Sequence, residues 1–140
     1  MALNPYITQA AGAAALDAIV DLIDVGGTGT LKVYADVQAA TADTAVAAQV
    51  LCATLTFSAT AFGAATTADP SVSTAAAITD DAAADATDTV TWFRILAGGG
   101  GAVLDGTCGT SGADINWNTV AFVSGATVSV TALTITEPLN

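Results

Sequence analysis

The chain is 140 residues long, enough for one domain with a real core, and carries thirteen acidic residues against two basic ones, with no histidine, for a net charge of −11. That balance argues against nucleic acid as a partner, since phosphate binding needs clustered Lys and Arg, and against anionic membrane surfaces. It also removes the usual catalytic parts: Lys32 and Arg94 are the only basic side chains, and no imidazole is present to act as a base.

The N-terminus, Met1-Ala2-Leu3-Asn4-Pro5, has no basic region ahead of an apolar run, so no secretion signal is expected. Residues 1–8, with Tyr6 and Ile7, form an apolar segment too short to fold alone and read as an arm reaching a partner. Residues 9–25 read as a helix. Leu16, Ile19, Val20 and Ile23 fall at i, i+3, i+4 and i+7 and make one stripe. Asp17, Asp21 and Asp24 line the opposite side as a solvated face, and Gly26-Gly27 ends the element.

After the glycines the period changes to two. Leu31, Val33 and Ala35 alternate in 30–35, and Leu51, Ala53, Leu55 and Phe57 alternate in 50–57, so both segments read as strands with one buried face. The Ala/Thr/Asp-rich stretch 36–47 between them reads as an exposed loop. Residues 58–88 carry the weakest pattern, with a short strand near Val72–Ile78. Their acids Asp80, Asp81, Asp85 and Asp88 lack calcium-loop spacing and read as solvated.

The run TWFRILAGGGGAVLDG (91–106) predicts a hairpin turned by glycines 98–101. Alternation puts Val90, Trp92, Arg94 and Leu96 on one face and Thr91, Phe93 and Ile95 on the other. Large residues on both faces imply a central strand, with Trp92, Ile95 and Leu96 in the core and Arg94 in need of a carboxylate or carbonyl partner. Neither glycine run has the strand–turn–helix setting of a phosphate cradle, and Ser111 in Gly109-Thr110-Ser111-Gly112 has no histidine to activate it. Ile115, Trp117, Val120 and Phe122 lie in a mixed segment. The final strand, 126–136, follows a turn at Ser124-Gly125. Its phase slips near Ala132-Leu133, which predicts a bulge or a crossing between sheets, and Pro138 ends pairing.

The charge-free stretches 44–68 and 115–136 are too often interrupted by Thr, Ser and Gln to span a membrane. Cys52 and Cys108 lack metal-site spacing and read as small buried hydrophobes, with a disulfide or a reactive thiol as the alternatives. No metal and no cofactor is expected. Residues 1–140 therefore read as a single mainly β domain, an antiparallel sandwich or barrel-like core over 30–136 behind a short N-terminal helix.

Five segments, GGTGTLKVYAD (26–36), AFGAA (61–65), TWFRIL (91–96), VLDGTCGTSGAD (103–114) and SGATVSVTALTIT (124–136), occur in this order in a family of small virion proteins of tailed bacteriophages and prophages, which the chain resembles. The resemblance implies a capsid decoration, or cement, protein: a homotrimer on the outer surface of the head, contacting the major capsid protein after assembly in the host cytoplasm. It brings no catalytic residues. The acidity of this chain departs from the family. Competing readings are a tail or tail-fibre subunit, and a carbohydrate-binding module using Trp92 or Trp117 beside Asp114 and Asn116.

Overall fold

The computed structural model describes residues 6–137; Pro138 and the first five residues of the expected arm lie outside them. The protein is mainly β, 35% strand and 12% helical, with a curled sheet forming a half-barrel behind one short N-terminal helix.

The helix α1 spans Gln9–Asp21 and is followed by a 3₁₀ turn over Leu22–Asp24, so the expected 9–25 element is two helical types in series. The Thr8 hydroxyl caps it by accepting from the Ala11 amide at 3.2 Å. Leu16, Val20 and Ile23 are buried and Ile19 lies at the margin of the stripe, partly exposed. The expected solvated aspartate face is corrected. Asp17 accepts from the Ala65 amide at 2.7 Å, and Asp24 accepts from the Ala61 amide at 3.0 Å, so two of the three acids tie the 61–65 loop to the helix. An acid near a helix C-terminus is electrostatically unfavourable, and the Asp24 bond to an amide offsets that cost.

Among the described residues eight strands follow: β1 (Thr30–Ala35), β2 (Leu51–Thr56), β3 (Ser71–Thr74), β4 (Asp88–Leu96), β5 (Ala102–Gly109), β6 (Ile115–Asn116), β7 (Ala121–Phe122) and β8 (Thr134–Glu137). The main sheet runs β2-β1-β4-β5-β6, with β7 on the start of β4, and β3 pairs with β8 in a second sheet against which α1 packs. All pairs are antiparallel except β5 with β6, which is parallel.

The main core joins Leu16, Val20 and Ile23 of the helix to Leu31, Val33, Leu55, Phe93 and Ile95 of the sheet. A smaller cluster holds Tyr34, Ala39 and Trp92, with Val46 and Leu51 against it. Two bulges decide which residues go where. Tyr34 faces Trp92 but Ala35 faces Val90, so Thr91 is an extra residue and Val90 turns into the main core with Phe93 and Ile95. That corrects the expected grouping of Val90 with Trp92. Similarly Val33 faces Ala53 and Tyr34 faces Leu51, which turns Cys52 into the core and Leu51 toward the smaller cluster. Trp92 and Ile95 are fully buried; Leu96, next to a register shift, is half-buried.

Two further expectations change. The segment 36–47 is not simply an exposed loop, since Ala39 is buried against Tyr34 and Trp92. The predicted strand over 126–136 is realised only at Thr134–Glu137. Before it, Val128 makes an isolated bridge to Asp81, and the chain crosses to the second sheet near the expected phase slip. Finally, the two glycine runs meet. The Gly98 amide donates to the Ile23 carbonyl at 3.0 Å and the Gly99 amide to the Val25 carbonyl at 2.9 Å, so the β4–β5 turn takes up carbonyls the helix end leaves open.

Candidate functional site

Three places gather the residues that sequence reasoning singled out. The first is the buried guanidinium. Because β4 is central, Arg94 has neighbours on both sides in the sheet and the 36–50 loop above it. Its Nε donates to Asp105 Oδ1 at 2.6 Å and its Nη2 to Asp105 Oδ2 at 2.7 Å, a two-pronged ion pair between side chains each only 5% exposed. The remaining donors reach the Thr44 carbonyl at 2.8 Å and the Thr41 carbonyl at 3.2 Å. The guanidinium lies 5.5 Å from the Trp92 ring, which stacks on Tyr34 at 4.6 Å. Hydrogen bonding to Asp105 raises the Arg94 pKa over the opposing effect of burial. Burial raises the Tyr34 pKa, with Arg94 pulling the other way. Two of these bonds thus tie Arg94 to Asp105 of β5 and two hold the 41–44 loop on the sheet, a scaffold role for a side chain closed off from solvent. Trp92, fully buried, is not a sugar platform, and its Nε1 is buried without a hydrogen-bond partner.

The second place is a groove of about 560 Å³ between residues 114–123 and 126–134. Trp117 lines it, half-buried, with its ring edge-on to Phe122 at 5.2 Å. The polar groups proposed beside it are already engaged. Asp114 Oδ2 accepts from the Thr107 amide and hydroxyl, both at 2.8 Å, and Asn116 exchanges hydrogen bonds with the Ala113 backbone. Those Thr107 bonds hold the Asp114 carboxyl below the usual carboxylate range. The two polar groups expected to work beside Trp117 are therefore committed to the protein's own backbone and side chains.

Cys108 sits beneath Trp117. Burial pushes its thiol from 9.0 up to about 11, against a weaker pull from the Trp117 ring N–H, whose nitrogen is buried without a fully formed hydrogen bond. Burial also raises Cys52. Both cysteines are free, and neither is poised as a thiolate nucleophile. A raised folded-state pKa contributes stability that is complete below about pH 9 and is lost as pH rises to about 11, because the unfolded chain releases its proton first. Tyr34 and Cys52 act in the same direction, so the Cys108 share must be isolated. Urea midpoints of wild type and Cys108→Ala should diverge less at pH 10.5 than at pH 8; a gap independent of pH contradicts the assignment.

The third place is scattered over the surface. Tyr6 and Ile7 of the expected arm are 72% and 46% exposed, and Leu22, Val25, Val37 and Val123 are also open to solvent. Among the described residues no group of three or more His, Cys, Asp or Glu side chains is arranged to hold a metal ion, and no helix is long and apolar enough to cross a membrane. Asp81, read as a solvated loop acid, instead accepts from the Thr54 amide at 2.8 Å and the Ala83 amide at 3.0 Å, closing the outer edge of β2. Sequence reasoning missed this role, and those of Asp17 and Asp24, because a carboxylate that accepts from a distant backbone amide leaves no local pattern. Comparison with protein-family models, curated proteins and solved structures returns no match to this chain.

Proposed function

We propose that the chain is a non-enzymatic structural protein of a tailed-bacteriophage virion, a capsid decoration protein that sits on the outer surface of the head as a homotrimer and bridges subunits of the major capsid protein. The observation that carries a structural role is the use made of its reactive groups. Arg94 and Asp105 pair in the interior, Asp17, Asp24, Asp81 and Asp114 hold backbone amides, and both thiols are raised. Groups that elsewhere perform chemistry are here tied into the scaffold. Among the described residues the outside is left with acidic charge, the partly exposed Lys32, and open apolar side chains. Such a surface docks on a partner through apolar contact and complementary basic charge. The assignment of that partner to a phage head rests on the ordered segments between residues 26 and 136.

Multivalency supports small contacts of this kind, since a trimer that engages several capsomers at once multiplies modest affinities. The arm contributes Tyr6 and Ile7. The experiment compares phage particles with and without the protein on heating. Particles lacking it should rupture at lower temperature, and adding purified protein should restore them. Equal robustness of the two, with no binding of added protein, contradicts the cement role; recovery of the protein with tails instead of heads favours the tail reading.

A further inference from the structure

The segment that sequence reading assigned to a strand and the structure leaves unpaired is the most informative surface of the molecule. Ala126–Leu133 alternates Thr127, Ser129 and Thr131 with Val128, Val130 and Ala132, a strand-forming run. It is anchored at both ends. Val128 exchanges two backbone hydrogen bonds with Asp81 at 2.8 and 2.9 Å, and the Leu133 carbonyl accepts from the Ala75 amide at 2.9 Å before β8 begins. Between those anchors Ser129, Val130, Thr131 and Ala132 make no hydrogen bond to any described residue, with a bend at Thr131. Open space flanks the run on both sides: the groove of about 560 Å³ toward Trp117 and Phe122, and a smaller gap of about 240 Å³ toward Ala75–Ile78.

A loop whose only role is connection has no need of this composition. Elsewhere in the fold the chain closes such edges itself: the outer edge of β2 is covered by the Thr79 bridge, the Asp81 side chain and the Asp85 amide. Around Ser129–Ala132 it does not. We propose that this segment receives an extended strand of the shell protein on which the chain docks, by strand addition in the groove. This rests on the docking role proposed above and goes further by naming the contact. Backbone hydrogen bonds to Ser129–Ala132 supply affinity, and alternate side chains of the incoming strand pack on Trp117 and Phe122.

Charge specifies the occupant. Residues 115–136, which form most of the groove, carry no charged side chain, and the acid Asp114 lines one mouth. A neutral floor with an acid at its mouth, on a chain of net charge −11, fits a strand of alternating apolar residues with Lys or Arg at an end. It fits a second copy of this −11 chain less well.

The test uses particles purified without this protein as the probe, and amide hydrogen exchange as the readout. Ser129–Ala132 should exchange fast in the free protein and slow by about tenfold or more on the particle. Val130→Pro removes a donor that no internal partner uses, so its denaturation midpoint should match wild type while particle binding weakens about tenfold. Wild-type binding with unchanged exchange at Ser129–Ala132, or a folded Val130→Pro variant that binds equally well, overturns strand addition and leaves the decoration role standing. Failure of the wild type to bind the particles overturns both. If Val130→Pro does not fold, the exchange result on the wild-type protein alone decides.

Discussion

Replacing Arg94 with methionine is expected to destabilise the fold by about 3–5 kcal/mol, because the carboxylate of Asp105 stays behind in the interior without its partner. The two side chains are each 5% exposed and share two hydrogen bonds of 2.6 and 2.7 Å, so neither charge is satisfied by water. The loss extends beyond the pair. The Thr41 and Thr44 carbonyls surrender their donors, and the 36–50 loop loses its hold on the outer face of the sheet, where it covers Tyr34 and Trp92. Substituting both partners, Arg94→Met with Asp105→Leu, should recover most of the stability, since no unpaired charge remains. Denaturant midpoints of the two singles and the double decide it. A single variant within about 0.5 kcal/mol of wild type would show that the pair is solvated and the loop only loosely attached.

The second large effect is expected at Gly98. A Cβ there would lie 2.1 Å from the carbonyl carbon and oxygen of Gly27 and 2.5 Å from its nitrogen. Those are backbone atoms, so no side chain can swing aside; the β4–β5 turn and the helix end must separate. Separation also breaks the hydrogen bonds that the Gly98 and Gly99 amides donate to the Ile23 and Val25 carbonyls. Gly98→Ala is therefore expected to cost about 3 kcal/mol or more, in the tail of single-substitution effects. Gly101→Ala is the control: its Cβ meets nothing within 4 Å, and the change should be close to neutral. Equal thermal midpoints for the two variants would mean that the two glycine runs do not pack backbone to backbone.

These two sites also show what a sequence discloses. The helix, β1, β2 and the β4–β5 hairpin were legible because each is written in a local period: the stripe through Leu16, Val20 and Ile23, and the alternation through Leu31 and Val33. The burial of Arg94 was legible as a need for a partner, since large residues flank it on both faces of β4. The identity of that partner was not, as Asp105 is reached only through the cross-strand register that places it opposite Arg94. The bulges at Thr91 and Cys52 move Val90 and Cys52 into the main core, and no residue type announces them. The docking of Gly26-Gly27 on glycines 98–101 escaped for a related reason: both runs read as turns, and only the fold brings turns together. The residues 126–133 are the instructive failure. Their pattern states a strand, and strand propensity is a statement about fit to a neighbour. Among the described residues no neighbour pairs with Ser129–Ala132, which is why the same residues carry the inference of an incoming strand.

We propose that this chain is a surface protein of a particle and holds its shell together. Imaging the intact particle at residue-resolving detail tests it most directly. A decoration role predicts density for the chain at symmetry-repeated positions over the whole outer surface of the head, with the groove beside Trp117 facing the shell. Density confined to the tail, or a particle that lacks the chain altogether, would contradict it.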